Sequence, residues 1–171
     1  VFASRAQAAD LLANELIAYR GMDPLVLAIP RGAVPMGAVI AARLNGRLDV
    51  VLVRKLPAPG NAELATGAID ETGWVYIAPH AASVGAGAAY LEDEKRAQLA
   101  ILRKRRAEYT PGRAPIDAHG RVVIVVDDGL ATGATMIAAL HAARAKRPAT
   151  LVCAVPVAAV DSVARVRPYA D

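Results

Sequence analysis

V-V-I-V-V-D-D-G-L-A-T-G-A-T-M, residues Val122 to Met136, is the stretch whose reading decides the fold. Val122 to Val126 are all β-branched and apolar with no polar alternation, the pattern of a strand buried on both faces within a parallel sheet. An alanine-rich run from Met136 to Ala145 follows, and its composition predicts a helix. Between strand and helix lie Asp127, Asp128, Gly129, Leu130, Ala131, Thr132, Gly133, Ala134 and Thr135. A loop of small residues at such a junction leaves main-chain N–H groups free to converge on an anion. Gly129 and Gly133 are four apart and no lysine follows, so neither standard glycine-rich nucleotide fingerprint is present. The paired acids would repel a pyrophosphate, yet they can accept hydrogen bonds from sugar hydroxyls or hold a hydrated Mg²⁺. Loop and acids together point to a phosphorylated sugar. Taken singly, the acids could be polar strand ends and the threonines ordinary helix caps; their order after a buried strand argues against that.

The rest of the composition sets bounds. A chain of 171 residues suits one domain, 1–171, with a sizeable core. Its apolar fraction of 55% contains one Phe and one Trp, so the core must be built from Val, Leu, Ile and Ala. The longest uncharged stretch, Thr72 to Leu91, holds Pro79, His80 and several glycines, which excludes a membrane span there. Cys153 is a single cysteine in an apolar segment, and the start of the chain lacks a basic region leading into an apolar run. Neither export nor a disulfide framework is suggested, and the cytoplasm is the expected compartment. A net charge of +4 suits an anionic small molecule.

Working outward, Ser4 can cap a helix running to about Arg20, with Gly21 as its stop. Leu25 to Ile29 reads as a short buried strand that breaks at Pro30-Arg31-Gly32-Ala33-Val34-Pro35, before a helix from Met36 to Leu44. This is a second strand-to-helix loop, and Gly32 permits close approach of a ligand. Asp49 to Val53 is the next predicted strand. It ends in Arg54 and Lys55, after which Leu56 to Glu63, rich in Pro and Gly, reads as a mobile cationic flap. Thr66 to Asp70 and Trp74 to Ala78 flank Glu71-Thr72-Gly73 as a hairpin. A long helix is predicted from about Ala88 to Tyr109. Its acids come early and its bases late, which complements the helix dipole and explains these charges without a nucleic-acid role. His80, His119 and His141 are isolated, so no metal cluster or catalytic triad is expected. Leu151 to Val155 and Ala158 to Val166 complete the pattern as a strand and a short helix.

The segment V-V-D-D-G-L-A-T-G-A-T closely resembles the phosphoribosyl pyrophosphate (PRPP) signature of type I phosphoribosyltransferases. The resemblance implies that Asp127 and Asp128 contact the ribose and that Ala131, Thr132, Gly133, Ala134 and Thr135 wrap the 5-phosphate. It further implies that Arg31 and Gly32 lie in the pyrophosphate loop, and that Arg54 and Lys55 form a basic pair beside it. The fold it implies is α/β, an open and mainly parallel sheet flanked by helices, with a hairpin and helix insertion at about 56–120. The implied reaction is transfer of the phosphoribosyl group from Mg-PRPP to a nitrogen acceptor, commonly a nucleobase, with Mg²⁺ as cofactor and room for a homo-oligomer. A second reading is a non-catalytic PRPP or nucleotide sensor, because some members of the family are regulators that bind RNA or DNA. Little chain follows Val155 to build the hood with which members select an acceptor, as a C-terminal truncation would leave it.

Overall fold

The computed structural model describes residues 2–171. Helix α1 (Arg5–Glu15) opens on Ser4, whose hydroxyl accepts from the Gln7 N–H at 3.1 Å. It stops at Glu15, and the run to Arg20 expected to be helical is completed by a 3₁₀ turn over Ile17–Tyr19. Strand β1 (Leu25–Ala28) leads through the Arg31 loop into α2 (Val34–Leu44). Pro35 occupies its first turn, where a missing N–H costs nothing. Strand β2 (Arg47–Val50) follows, then β3 (Val53–Ala58), β4 (Asn61–Asp70), β5 (Val75–Ile77) and the long α3 (Ala88–Tyr109). Strand β6 (Val122–Val126), α4 (Ala134–Arg144), β7 (Thr150–Ala154) and α5 (Val160–Val166) end the chain.

Strands β2-β1-β6-β7, in that order, form a parallel sheet, as expected from the buried apolar runs. Side chains alternate along each strand, so the two faces can be read directly. Leu25, Leu27, Val123, Val125 and Leu151 meet Met136, Ile137 and Leu140 of α4 on one face. Val26, Ala28, Ile124 and Val126 meet α1 and α2 on the other through Ala8, Ala9, Ala13, Met36, Ile40 and Leu44. Small residues on α1 let it lie close to α2, and both faces of the sheet are thereby closed to water.

Two expectations are corrected by the segment between β2 and β6. The strand predicted over Asp49 to Val53 is two separate strands: the parallel one ends at Val50, and Val53 begins an antiparallel sheet of order β3-β4-β5. Arg54 and Lys55 therefore lie inside β3, not at the end of a parallel strand. The segment Leu56 to Glu63, read as a flap, is a hairpin that turns at Pro59 and Gly60, where Gly60 takes φ +71°. Pro57 cannot donate to the ladder, and the register between β3 and β4 slips on either side of it. The Asp70–Trp74 hairpin turn is as predicted. The buried Asp70 carboxylate pins it by accepting from the N–H groups of Thr72 and Trp74 at 2.8 and 3.1 Å. Trp74 stacks on His141 of α4 at 3.6 Å between ring centroids, which docks this second sheet against the helix that follows the acidic loop.

Candidate active site

Strands β1 and β6 are neighbours, with Ala28 opposite Val126, so the loops that leave their C-terminal ends rise side by side. From this pair the chain proceeds to β2 on one side and β7 on the other. That divergence is where open α/β sheets form ligand crevices. The loops touch: a Cβ placed on Gly32 would lie 2.3 Å from Oδ2 of Asp128, so only glycine leaves room for that carboxylate.

The second loop is shaped for an anion. Gly133 is the N-cap of α4 at φ +85°, a conformation glycine adopts without strain, and no side chain caps this helix end at Gly133. The N–H groups of the first turn of α4 thus face the crevice with the positive end of the helix dipole behind them. The loop is held from outside by α5, through contacts that sequence reasoning did not find. Ser162, 2% exposed, donates its hydroxyl to the Ala131 carbonyl, and Arg165 Nη1 donates to the Thr132 carbonyl at 2.5 Å. With these carbonyls turned outward, the same peptides direct their N–H groups elsewhere. Val166 lies against Gly133, 3.0 Å from where a Cβ would stand. No motif in α5 signals this role, because it depends on the helix folding back on the loop.

Lys55, Asp127, Asp128 and residues 129–133, with Thr135 and Met136, line one cleft of about 250 Å³. Burial pushes the Asp127 carboxyl up to about 6; Asp128 adds to the rise, while the Asp128 N–H, donating at 2.8 Å, and the Lys55 charge oppose it. The structure thus brings together Asp127, Asp128, Ala131, Thr132, Gly133, Thr135, Gly32 and Lys55. It sends Arg54 elsewhere, and it sets Arg31 beside a second cavity. Arg54 and Lys55 are consecutive on a strand and point to opposite faces. The Arg54 guanidinium donates to Gln98 of α3, where burial first and the Arg105 charge second lower its pKa. Arg31 lines a separate cavity with Tyr109 and Arg113, while the next residue, Gly32, lies against Asp128, so the expectation that this loop serves a ligand through its main-chain N–H groups stands as a proposal. Ala134 is buried as the first residue of α4, and its N–H, the one group it could offer a ligand, makes a long contact to the Thr132 hydroxyl at 3.5 Å. Among the described residues no group of three or more His, Cys, Asp or Glu side chains could hold a metal ion, and no helix is long and apolar enough to cross a membrane.

With this geometry in view, the chain matches the model of the phosphoribosyl transferase domain family over residues 3–170. It belongs to that family. A Mycobacterium tuberculosis (strain ATCC 25618 / H37Rv) protein named "Putative phosphoribosyl transferase Rv0571c" is 40% identical over 172 residues, covering 100% of this chain but 39% of its own length. The present chain thus spans about two fifths of that curated relative. The crystal structure of TT1426 from Thermus thermophilus is 44% identical with a TM-score of 0.80, over 99% of this chain and 81% of that one. A hypoxanthine-guanine phosphoribosyltransferase from Bacillus anthracis str. 'Ames Ancestor' shares the fold at 12% identity and a TM-score of 0.51, over 92% of this chain and 68% of that one.

Proposed function

We propose that this domain binds Mg-PRPP across its two loops and transfers the 5-phosphoribosyl group to a nitrogen acceptor, a nucleobase by the resemblance, with release of pyrophosphate. The observation that carries the reading is the cleft in which an uncapped helix N-terminus, two adjacent carboxylates and one lysine face the same space. The N–H groups at Thr132 to Thr135 hold the 5-phosphate. Asp127 and Asp128 accept from the ribose hydroxyls and stabilise the positive charge that develops at C1 as the bond to pyrophosphate lengthens. Gly32 admits the diphosphate between the loops, and Lys55 balances its charge. The acceptor is the nucleophile, so no protein nucleophile is required.

Two carboxylates are too few to enclose a hexacoordinate Mg²⁺, but they are hard oxygen donors of the right kind. They suit an ion whose remaining ligands are substrate oxygens and water. Asp127 and Asp128 would hold it from the ribose side, and when bound it neutralises charge on the leaving pyrophosphate. The test is a panel of nucleobases incubated with Mg-PRPP and scored for pyrophosphate release, beside a thermal melt with Mg-PRPP. At a hundredfold excess over Kd, binding to the native state adds about 2.7 kcal/mol, or roughly 5–10 °C for a chain of this size. An unchanged melting temperature at saturating Mg-PRPP would refute the assignment.

A further inference from the structure

Lys55 is the one cationic residue among those that line the cleft, where it faces two carboxylates and, in the reading above, a ligand that carries a diphosphate. A cation from an element far away in sequence reaches the same place. Arg5, on the first residue of α1, extends its Nη2 to Oδ2 of Asp128 at 3.0 Å. That oxygen is the one that lies against Gly32, so the guanidinium stands where the two loops meet.

Three features argue that this contact is more than a tether. An arginine in the first turn of a helix sits at the positive end of the dipole, so helix stability does not account for it. The pair is exposed, with Arg5 at 71% and Asp128 at 36%, and exposed pairs contribute little to stability. Among the described residues the guanidinium hydrogen-bonds Asp128 alone, through one of its five N–H donors, and the remaining donors are free for an anionic partner such as a phosphate. The backbone that carries it is nonetheless held in place. Ser4 caps α1, and the Gln7 side chain accepts from the Ala3 N–H at 2.6 Å, a reciprocal arrangement that holds the helix start in one geometry.

We propose that Arg5 is a substrate-binding residue, a guanidinium that keeps Asp128 through Nη2 and offers its other N–H groups to the diphosphate of the substrate. The assignment rests on the PRPP reading above and names the residue that supplies the missing charge. It also ties α1 to the occupied site: the helix start is held by the ligand as well as by Asp128.

Calorimetry with three probes tests it: Mg-PRPP, Mg-pyrophosphate and ribose 5-phosphate. For Arg5→Ala the expected result is roughly ten- to hundredfold weaker binding of the two diphosphate-bearing probes, the scale of a lost charge-assisted contact. Ribose 5-phosphate should bind as to the parent chain, and Arg5→Lys should recover part of the loss. Alanine is a good helix former, and a far-UV circular dichroism spectrum and melt of the variant confirm that α1 persists. Undiminished Mg-PRPP binding by Arg5→Ala would overturn the proposal, and so would an equal loss for all three probes, which would make Arg5 only a support for Asp128. If the unsubstituted chain bound neither Mg-PRPP nor ribose 5-phosphate, the PRPP reading itself would fall together with this one.

Discussion

Asp127 is held in a place that suits chemistry better than stability. Burial raises its pKa to about 6, so the native state retains a proton that the unfolded chain has already lost. The sign follows from linkage: the native form binds more protons between the unfolded value near 3.8 and about 6, so stability declines as pH rises through that window and is level above it. Asp127→Asn removes the cost. The variant should be more stable than the parent at pH 7.5 by about 1–3 kcal/mol, with the gain vanishing near pH 4. Denaturant melts at the two pH values check this, and a gain independent of pH would show that burial of the charge is not its source. Gly32→Ala tests the contact between the loops. The added Cβ would meet the end of the Asp128 side chain, which can swing, so folding stability should change by less than about 1 kcal/mol. Mg-PRPP affinity should nevertheless fall by roughly tenfold or more, because the carboxylate is driven from its place. Titration of the variant decides the point, and an affinity equal to that of the parent would remove Gly32 from the site.

Among the elements, α5 is short and has no signature, yet it presses on the outside of the loop between β6 and α4. Ser162 and Arg165 take the carbonyls of Ala131 and Thr132, and Val166 fills the space behind Gly133. Ser162→Ala removes the hydroxyl that donates to the Ala131 carbonyl, at a cost of about 0.5–1.5 kcal/mol. If the loop depends on that contact, ribose 5-phosphate and PRPP should both bind several-fold more weakly. Loss of stability with unaltered affinity for both would mean that α5 supports the fold and not the loop. The β4–β5 hairpin braces the other end of α4, where Trp74 stacks on His141 in the last turn of the helix.

Across the whole molecule, the site is assembled from β1, β3, β6 and α4, each at a different distance along the chain. The two anion positions should therefore separate under mutation. Lys55→Ala should weaken Mg-PRPP by about ten- to a hundredfold and leave ribose 5-phosphate almost unchanged, since a charge-assisted hydrogen bond contributes about 1.5–3 kcal/mol. Calorimetry with both ligands settles it; equal loss for both, or none, would withdraw the pyrophosphate role of β3.

The central strand, the acidic loop after it and the helix beyond were legible in residues 122–145, because an unbroken β-branched run, paired acids and small loop residues are each local signals. The parallel sheet was legible for the same reason, since strands closed to water on both faces show no alternation. What lay beyond the sequence was direction and distance. Arg54 and Lys55 look equivalent as neighbours on the chain, but the pleat of β3 sends one to α3 and the other to the cleft. The flap was misread because a Pro- and Gly-rich segment suits a hairpin turn as well as a loop, and only pairing with β4 distinguishes them. Arg5 and Asp128 are 123 residues apart, and Ser162 and Ala131 are 31 apart. The composition of each segment determined what it could form; which of its side chains meet the ligand was decided by packing between segments, which no local pattern encodes.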